Sequence, residues 1–238
     1  MKHITKIIKK IISIDTLLDK QIPLYLLLIL VLVLRIPNLF EPYWYGDEGI
    51  YLTIGQSMNK GAKLYTEIID HKTPLIYYLA RVDSPLNFRI LNIAWMLVTT
   101  GVFYYFAKKL LKSVFATSVA TLIFVIFTTL PWLEGHIPNG ELFVLGFVLT
   151  GMLILSHTSY FTRFLEAKSN PKNHLLALFI SGVFMGLGVL TKVPAILDFA
   201  SVCSIAYFTW IQTASFKNWR KALTNLGQPL LQLLALFA

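Results

Sequence analysis

The strongest constraint on this chain is a series of apolar stretches, each close to bilayer length, separated by short clusters of charge. Pro23 to Leu34 is unbroken apolar sequence, and Arg35 reads as a snorkelling residue before Ile36 to Phe40 continues the run. Further runs follow at Phe88–Ala107, Ser113–Trp132, Leu142–His157, His174–Leu190 and Ala195–Ile211. About 20 apolar residues in a helix cross the hydrocarbon core. A β-barrel would show alternation over ~10 residues, and these runs do not alternate. Of 238 residues 56% are hydrophobic and only 14% charged, against about a quarter charged in soluble domains. The expected fold is all-α: a polytopic membrane protein with about six transmembrane helices. A partial seventh, Pro229–Ala238, is only ten residues long and too short to cross.

The ends of the chain follow the same logic. Residues 1–20 carry Ile4, Ile7, Ile8, Ile11, Ile12 and Leu18 at helical spacing, interleaved with Lys2, Lys6, Lys9, Lys10 and Lys20. That pattern predicts an amphipathic helix on the cytoplasmic face. A signal peptide is the rival, but no small-residue cleavage site follows. The single cysteine, Cys203, excludes an internal disulfide and reads as buried packing. Residues 21–238 then form the transmembrane part, with 41–87 as its first extracytoplasmic loop, carrying short helices along the membrane surface.

A net charge of +9 would suggest nucleic acid until the charges are placed. Fourteen of the 21 Lys and Arg fall in four segments on one side of the expected spans, and 8 of the 12 acids fall on the other. The positive-inside rule accounts for this partition with no nucleic acid, and it makes the N-terminus cytoplasmic. The expected location is the cell membrane, the inner one, of a prokaryote.

The outer side then carries the chemistry. Gly46-Asp47-Glu48 opens a helix that Gly61 follows, with Asp47, Tyr51, Ile54 and Met58 on one face. Acids in a first turn also fit a plain helix start, and Tyr43, Trp44 and Tyr45 also fit an interfacial belt. Asp70, His71 and Lys72 lie within three residues, ahead of Pro74. Asp70 and His71 are candidate ligands for a divalent metal, without a third ligand fixed in sequence. Asn139 and Glu141 stand at the mouth of the fourth span, where Pro138-Asn139-Gly140 also reads as a turn. Lys192 lies between two apolar spans, where a cation is costly without a partner unless it snorkels. Carboxylates suit removal of a proton from an acceptor hydroxyl, and lysines suit a phosphate leaving group.

These motifs resemble a known family. Gly46-Asp47-Glu48-x-x-Tyr51, Gly61-x-x-x-Tyr65 and Asp70-x-Lys72-x-Pro74-Leu75 resemble the first outer loop of GT-C glycosyltransferases, in particular protein O-mannosyltransferases and lipid A aminoarabinose transferases. Pro138-Asn139-x-Glu141 and Gly186-Leu187-Gly188-x-Leu190-Thr191-Lys192 resemble that family's second outer loop and lysine turn. Thr73-Pro74 departs from the family's two prolines, and the connection from Leu75 to Arg89 is short. The resemblance implies inverting transfer from a polyprenyl-phosphate sugar to a protein, glycolipid or cell-wall acceptor at the outer face, among membrane lipids. It implies that Asp47 is the catalytic acidic residue, acting as general base or positioning the acceptor, supported by Glu48. Lys72 and Lys192 would meet the donor phosphate, with Tyr51, Asp70, His71, Asn139 and Glu141 as further substrate-site residues. It also implies that this chain is the N-terminal portion of such an enzyme. Two other classes stay open on the residues: a transporter or flippase for a lipid-linked or anionic solute, and a non-catalytic membrane subunit.

Overall fold

A computed structural model describes residues 21–42, 46–158 and 175–213, the last nine as backbone only. The expected helix over 1–20, the aromatics Tyr43, Trp44 and Tyr45, the basic clusters of 163–172 and 217–221, and the partial span 229–238 lie outside the described residues. The elements are α1 (Ile22–Arg35) with a 3-10 continuation (Ile36–Phe40), α2 (Gly46–Asn59), α3 (Leu75–Leu79), α4 (Pro85–Leu111), α5 (Val114–Phe127), α6 (Gly140–Ser156), α7 (Leu175–Thr191) and α8 (Ala195–Thr213). Apart from one isolated bridge between Leu64 and Ile68, the described residues are helix, turn and loop.

Six apolar helices stand where six spans were expected, but they are unequal. Ile22–Phe40 and Pro85–Leu111 have the length and mean hydropathy, 2.2 and 1.5, of membrane-crossing helices. α5, α6 and α7 are apolar but run 14, 17 and 17 residues. At ~1.5 Å per residue these fall short of the ~30 Å hydrocarbon core.

Helix ends follow local sequence. The Ser84 side chain caps α4 by accepting from Asn87 N at 3.2 Å, with Pro85 in its first turn. α4 stops at Lys112, which takes the left-handed conformation at φ 54°. Ser113 then caps α5 through Ala116 N at 3.2 Å. At the other end of α5, Arg35 does not snorkel. It is 1% exposed, and its guanidinium donates to the Thr128 carbonyl at the α5 C-terminus. A cation there meets the negative end of the helix dipole.

α4 is central: it packs against α1, α5 and α6, while α6 packs broadly on α7, and α8 closes on both. Small residues permit these approaches. A Cβ on Gly146 would fall 2.5 Å from Trp95 Nε1, and one on Gly151 would fall 3.1 Å from the Ser181 carbonyl. Cys203, expected in the core, is only half-buried.

α2 and α3 lie over one end of this bundle. Their buried side chains, Tyr51, Leu52, Ile54, Ile76, Tyr77 and Ala80, form one apolar cluster with Phe88 of α4 and Phe143 of α6. The Phe88 and Phe143 rings stack at 5.9 Å. Gly55 sets the approach of α2 to α3, since a Cβ there would lie 2.3 Å from the Ala80 carbonyl oxygen. Overpacking of this kind costs about 1–3 kcal/mol. Gly55→Ala should therefore lower the thermal midpoint of the purified protein, whereas Gly101→Ala, with nothing within 4 Å of its Cβ position, should not.

Candidate functional site

The site is built from the start of α2. Asp47 is the second residue of that helix, and Tyr51 lies one turn on. The Tyr51 hydroxyl donates to Asp47 Oδ2 at 3.0 Å. Lys72 reaches the same oxygen in an ion pair, and its Nζ also donates to the Tyr51 hydroxyl at 3.0 Å. The ammonium lies 4.8 Å from the Tyr51 ring centroid, so the ring face adds to its stabilisation. Burial pushes the Asp47 carboxyl up. The hydrogen bonds from Lys72 and Tyr51, with the charges of Lys72 and Lys192, outweigh it and hold the group below its ordinary value.

Lys72 is aimed by its backbone. The Tyr65 hydroxyl donates to the Lys72 carbonyl at 2.6 Å, from a turn in which Tyr65 has φ 66°. That turn is closed by Tyr65 N to the Ile68 carbonyl at 2.7 Å and by Lys63 N to Glu67 Oε2 at 2.8 Å. On the far side Tyr77 of α3 meets Tyr51 edge to face, with ring centroids at 6.1 Å, and its hydroxyl donates to Asp70. Burial and the Asp70 carboxylate push the Tyr77 hydroxyl well up, and it stays a donor.

Asp70 and His71 serve this loop. The His71 amide and ring each meet Asp70 Oδ1 at 2.8 Å. The His71 side chain is 81% exposed. Among the described residues no group of three His, Cys, Asp or Glu forms around them that could hold a metal. Asp70 Oδ1 meets His71 and Oδ2 accepts from the Tyr77 hydroxyl.

Glu48 is turned the other way. It is fully buried, and Arg89 of α4 grips it in a fork, Nε to Oε1 at 2.8 Å and NH2 to Oε2 at 3.0 Å. The remaining nitrogen, NH1, donates to the carbonyls of Asn38 at 2.9 Å and Glu41 at 2.7 Å. The Asn38 amide in turn donates to the His136 carbonyl at 2.7 Å, and His136 Nε2 lies 3.2 Å from Glu41 Oε2. One guanidinium thus ties the end of α1, the start of α2 and the start of α4, and Asn38 and Glu41 extend the tie to the loop before α6.

The second half of the site comes from that loop and from the α7–α8 turn. Asn139 is buried and donates to Glu134 Oε2 at 3.1 Å, so its amide serves the loop. Glu141, in the first turn of α6, pairs with Lys192. Gly140 brings the halves together: a Cβ there would lie 3.5 Å from both Lys192 Cδ and the Tyr51 hydroxyl. Asp47, Tyr51, Lys72, Glu141 and Lys192 therefore gather around one point. Beside it opens a groove of about 260 Å³, walled by Val144, Leu145 and Val148 of α6 and by Pro194 and Ala195 of the turn and α8.

Sequence reasoning passed over Arg89, Asn38, Glu41 and His136. Arg89 carried the clearest signal, an arginine in the first turns of an otherwise apolar helix, where a charge needs a partner.

A family model of the dolichyl-phosphate-mannose-protein mannosyltransferases matches residues 69–237, and the chain belongs to that family. It is a family of integral membrane glycosyltransferases that use lipid-linked sugar donors. No curated protein and no solved structure matches the chain. The matched residues include Lys72, Glu141 and Lys192, while Asp47 and Glu48 precede them and join the site through geometry.

Removing one partner of a buried ion pair costs about 3–5 kcal/mol, because the other charge is left stranded. Arg89→Met should destabilise the protein by that order, and adding Glu48→Gln should restore part of the loss in thermal unfolding.

Proposed function

We propose that this chain transfers a sugar from a polyprenyl-phosphate donor to an acceptor hydroxyl at the outer face of the membrane, with inversion. The observation that carries this reading is the meeting of Asp47, Tyr51 and Lys72 with Glu141 and Lys192 over Gly140. The pairing of carboxylate and ammonium groups suits both ends of the reaction. The acceptor oxygen bonds to the anomeric carbon, the bond from that carbon to the phosphate oxygen breaks, and the acceptor proton passes to an Asp47 oxygen. Lys72 and Lys192 balance the charge that gathers on the leaving phosphate. Glu48 acts at one remove, as a positioning residue that fixes the first turn of α2 through Arg89.

The topology proposed with it has the N-terminus cytoplasmic, the loop 41–87 extracytoplasmic and six crossings by α1 and α4–α8. The acids and α2–α3 then share the outer face. The groove beside Lys192 opens among apolar side chains, as an isoprenoid chain requires. A protein acceptor accords with the family's description, with a glycolipid or cell-wall polymer as the alternatives.

Asp47→Asn keeps shape and removes the base, so kcat should fall by about 10²-fold or more while the protein still inserts. Full transfer activity in that variant would remove Asp47 from the role. The pH profile tests the same group. Because Asp47 is held below the ordinary carboxylate value of about 3.9, the acid limb of kcat/KM should lie below that pH. The Asp47–Lys72 contribution to stability should likewise be present above the unfolded value and be lost as pH falls through the folded one. An acid limb near pH ~6 would point to a histidine instead.

A further inference from the structure

Three ion pairs belong to the site, two at the reacting point and one behind it, and they are held with unequal firmness. The side chains of Glu48 and Arg89 are 0% and 5% exposed and joined by a fork. Those of Asp47 and Lys72 are 25% and 11% exposed, and the Tyr51 hydroxyl bonds both. Those of Glu141 and Lys192 are 59% and 23% exposed. Among the described residues Lys192 is the one hydrogen-bond partner of the Glu141 carboxylate. Exposed pairs contribute little to stability, whereas breaking a buried pair is severe. Glu141 is therefore the carboxylate that can leave its partner at small cost.

Its partner is the cation of the groove. Val144, Leu145, Val148, Pro194 and Ala195 supply the apolar wall, and the charged residues lining it are Glu141, Lys192 and Asp198. Each of the two ion pairs is balanced without ligand, Asp47 against Lys72 and Glu141 against Lys192, and Asp198 is a further carboxylate on the groove wall. A phosphodiester brings one further negative charge. If Glu141 stayed, two anions would share one ammonium. If it withdraws, phosphate and Asp47 balance Lys192 and Lys72.

We propose that Glu141 is a built-in stand-in for the donor phosphate: it holds Lys192 in the ligand-free protein and is displaced when a lipid phosphate arrives. This rests on the reading of Lys192 as a phosphate-binding residue. Glu141 thereby sets donor affinity and reserves Lys192 for anions that outcompete a carboxylate. A purely supportive role for Glu141 predicts the opposite sign, since removing a support weakens binding.

The test is binding of farnesyl monophosphate to the full chain in lipid nanodiscs, with farnesol as the uncharged control. Glu141→Gln should tighten farnesyl monophosphate by about two- to fivefold, the change that an exposed ion pair corresponds to, and leave farnesol unchanged. Lys192→Gln should weaken it, and Glu141→Gln should have no effect in the Lys192→Gln background. Weaker or unchanged binding in Glu141→Gln, with Lys192→Gln still weakened, overturns the stand-in and leaves the phosphate reading intact. Equal tightening in the Lys192→Gln background also overturns it, as a general charge effect. Unchanged binding in Lys192→Gln overturns the phosphate reading itself. Should Glu141→Gln fail to fold, Glu141→Asp carries the same expectation, because the shorter acid reaches Lys192 less well.

Discussion

The grip of Arg89 on Glu48 is the interaction on which the site depends. It is a buried pair, satisfied on both carboxylate oxygens, with its spare nitrogen on two backbone carbonyls. A buried ion pair contributes modest net stability compared with apolar packing, because both charges must leave water. Its return here is geometric. The arginine enters from the first turns of α4 and fixes the direction of α2, and with it the neighbouring Asp47. The apolar cluster of Tyr51, Ile54, Tyr77, Phe88 and Phe143 then holds that direction from the other side.

On this base the reactive groups can be looser. Tyr51 is wholly buried as a ring, yet its hydroxyl touches both Asp47 and Lys72. The lysines arrive from a loop and a turn, each on a flexible stem. For the proposed reaction, whose leaving group is a phosphate on a long mobile chain, a rigid acid with adjustable cations is a sensible division. Firm placement of the proposed base would preserve the attack geometry, while a point charge tolerates a shifting partner.

Much of this was legible in the chain itself. Apolar run lengths placed six helices within a few residues of their observed ends, because α4 and α5 carry local caps at Ser84 and Ser113. The motif residues Asp47, Tyr51, Lys72, Glu141 and Lys192 were also visible. Their partnerships were not. Glu48 and Asp47 are adjacent in sequence and chemically alike, yet one is sealed against Arg89 and the other faces the lysines. A helix turns ~100° per residue, so neighbours point to different surroundings, and only the position of α4 decides which acid is buried. Arg35 was misread for a related reason. A cation near a helix end can extend to headgroups or cap a neighbouring helix, and the carbonyl of Thr128 lies 93 residues away in sequence.

Gly140, the residue over which Tyr51 and Lys192 meet, joins parts of the chain made at very different times. Glu48 and Arg89 are 41 residues apart, so the scaffold of the first half can close as soon as α4 is in place. Lys192 emerges only after α7, and its partner Glu141 precedes it by 51 residues. Synthesis thus completes the frame before it delivers the last charge. A growing chain that has passed α4 but not α7 already displays its acid and Lys72, while Lys192 and the groove wall formed by Pro194 and Ala195 have yet to arrive.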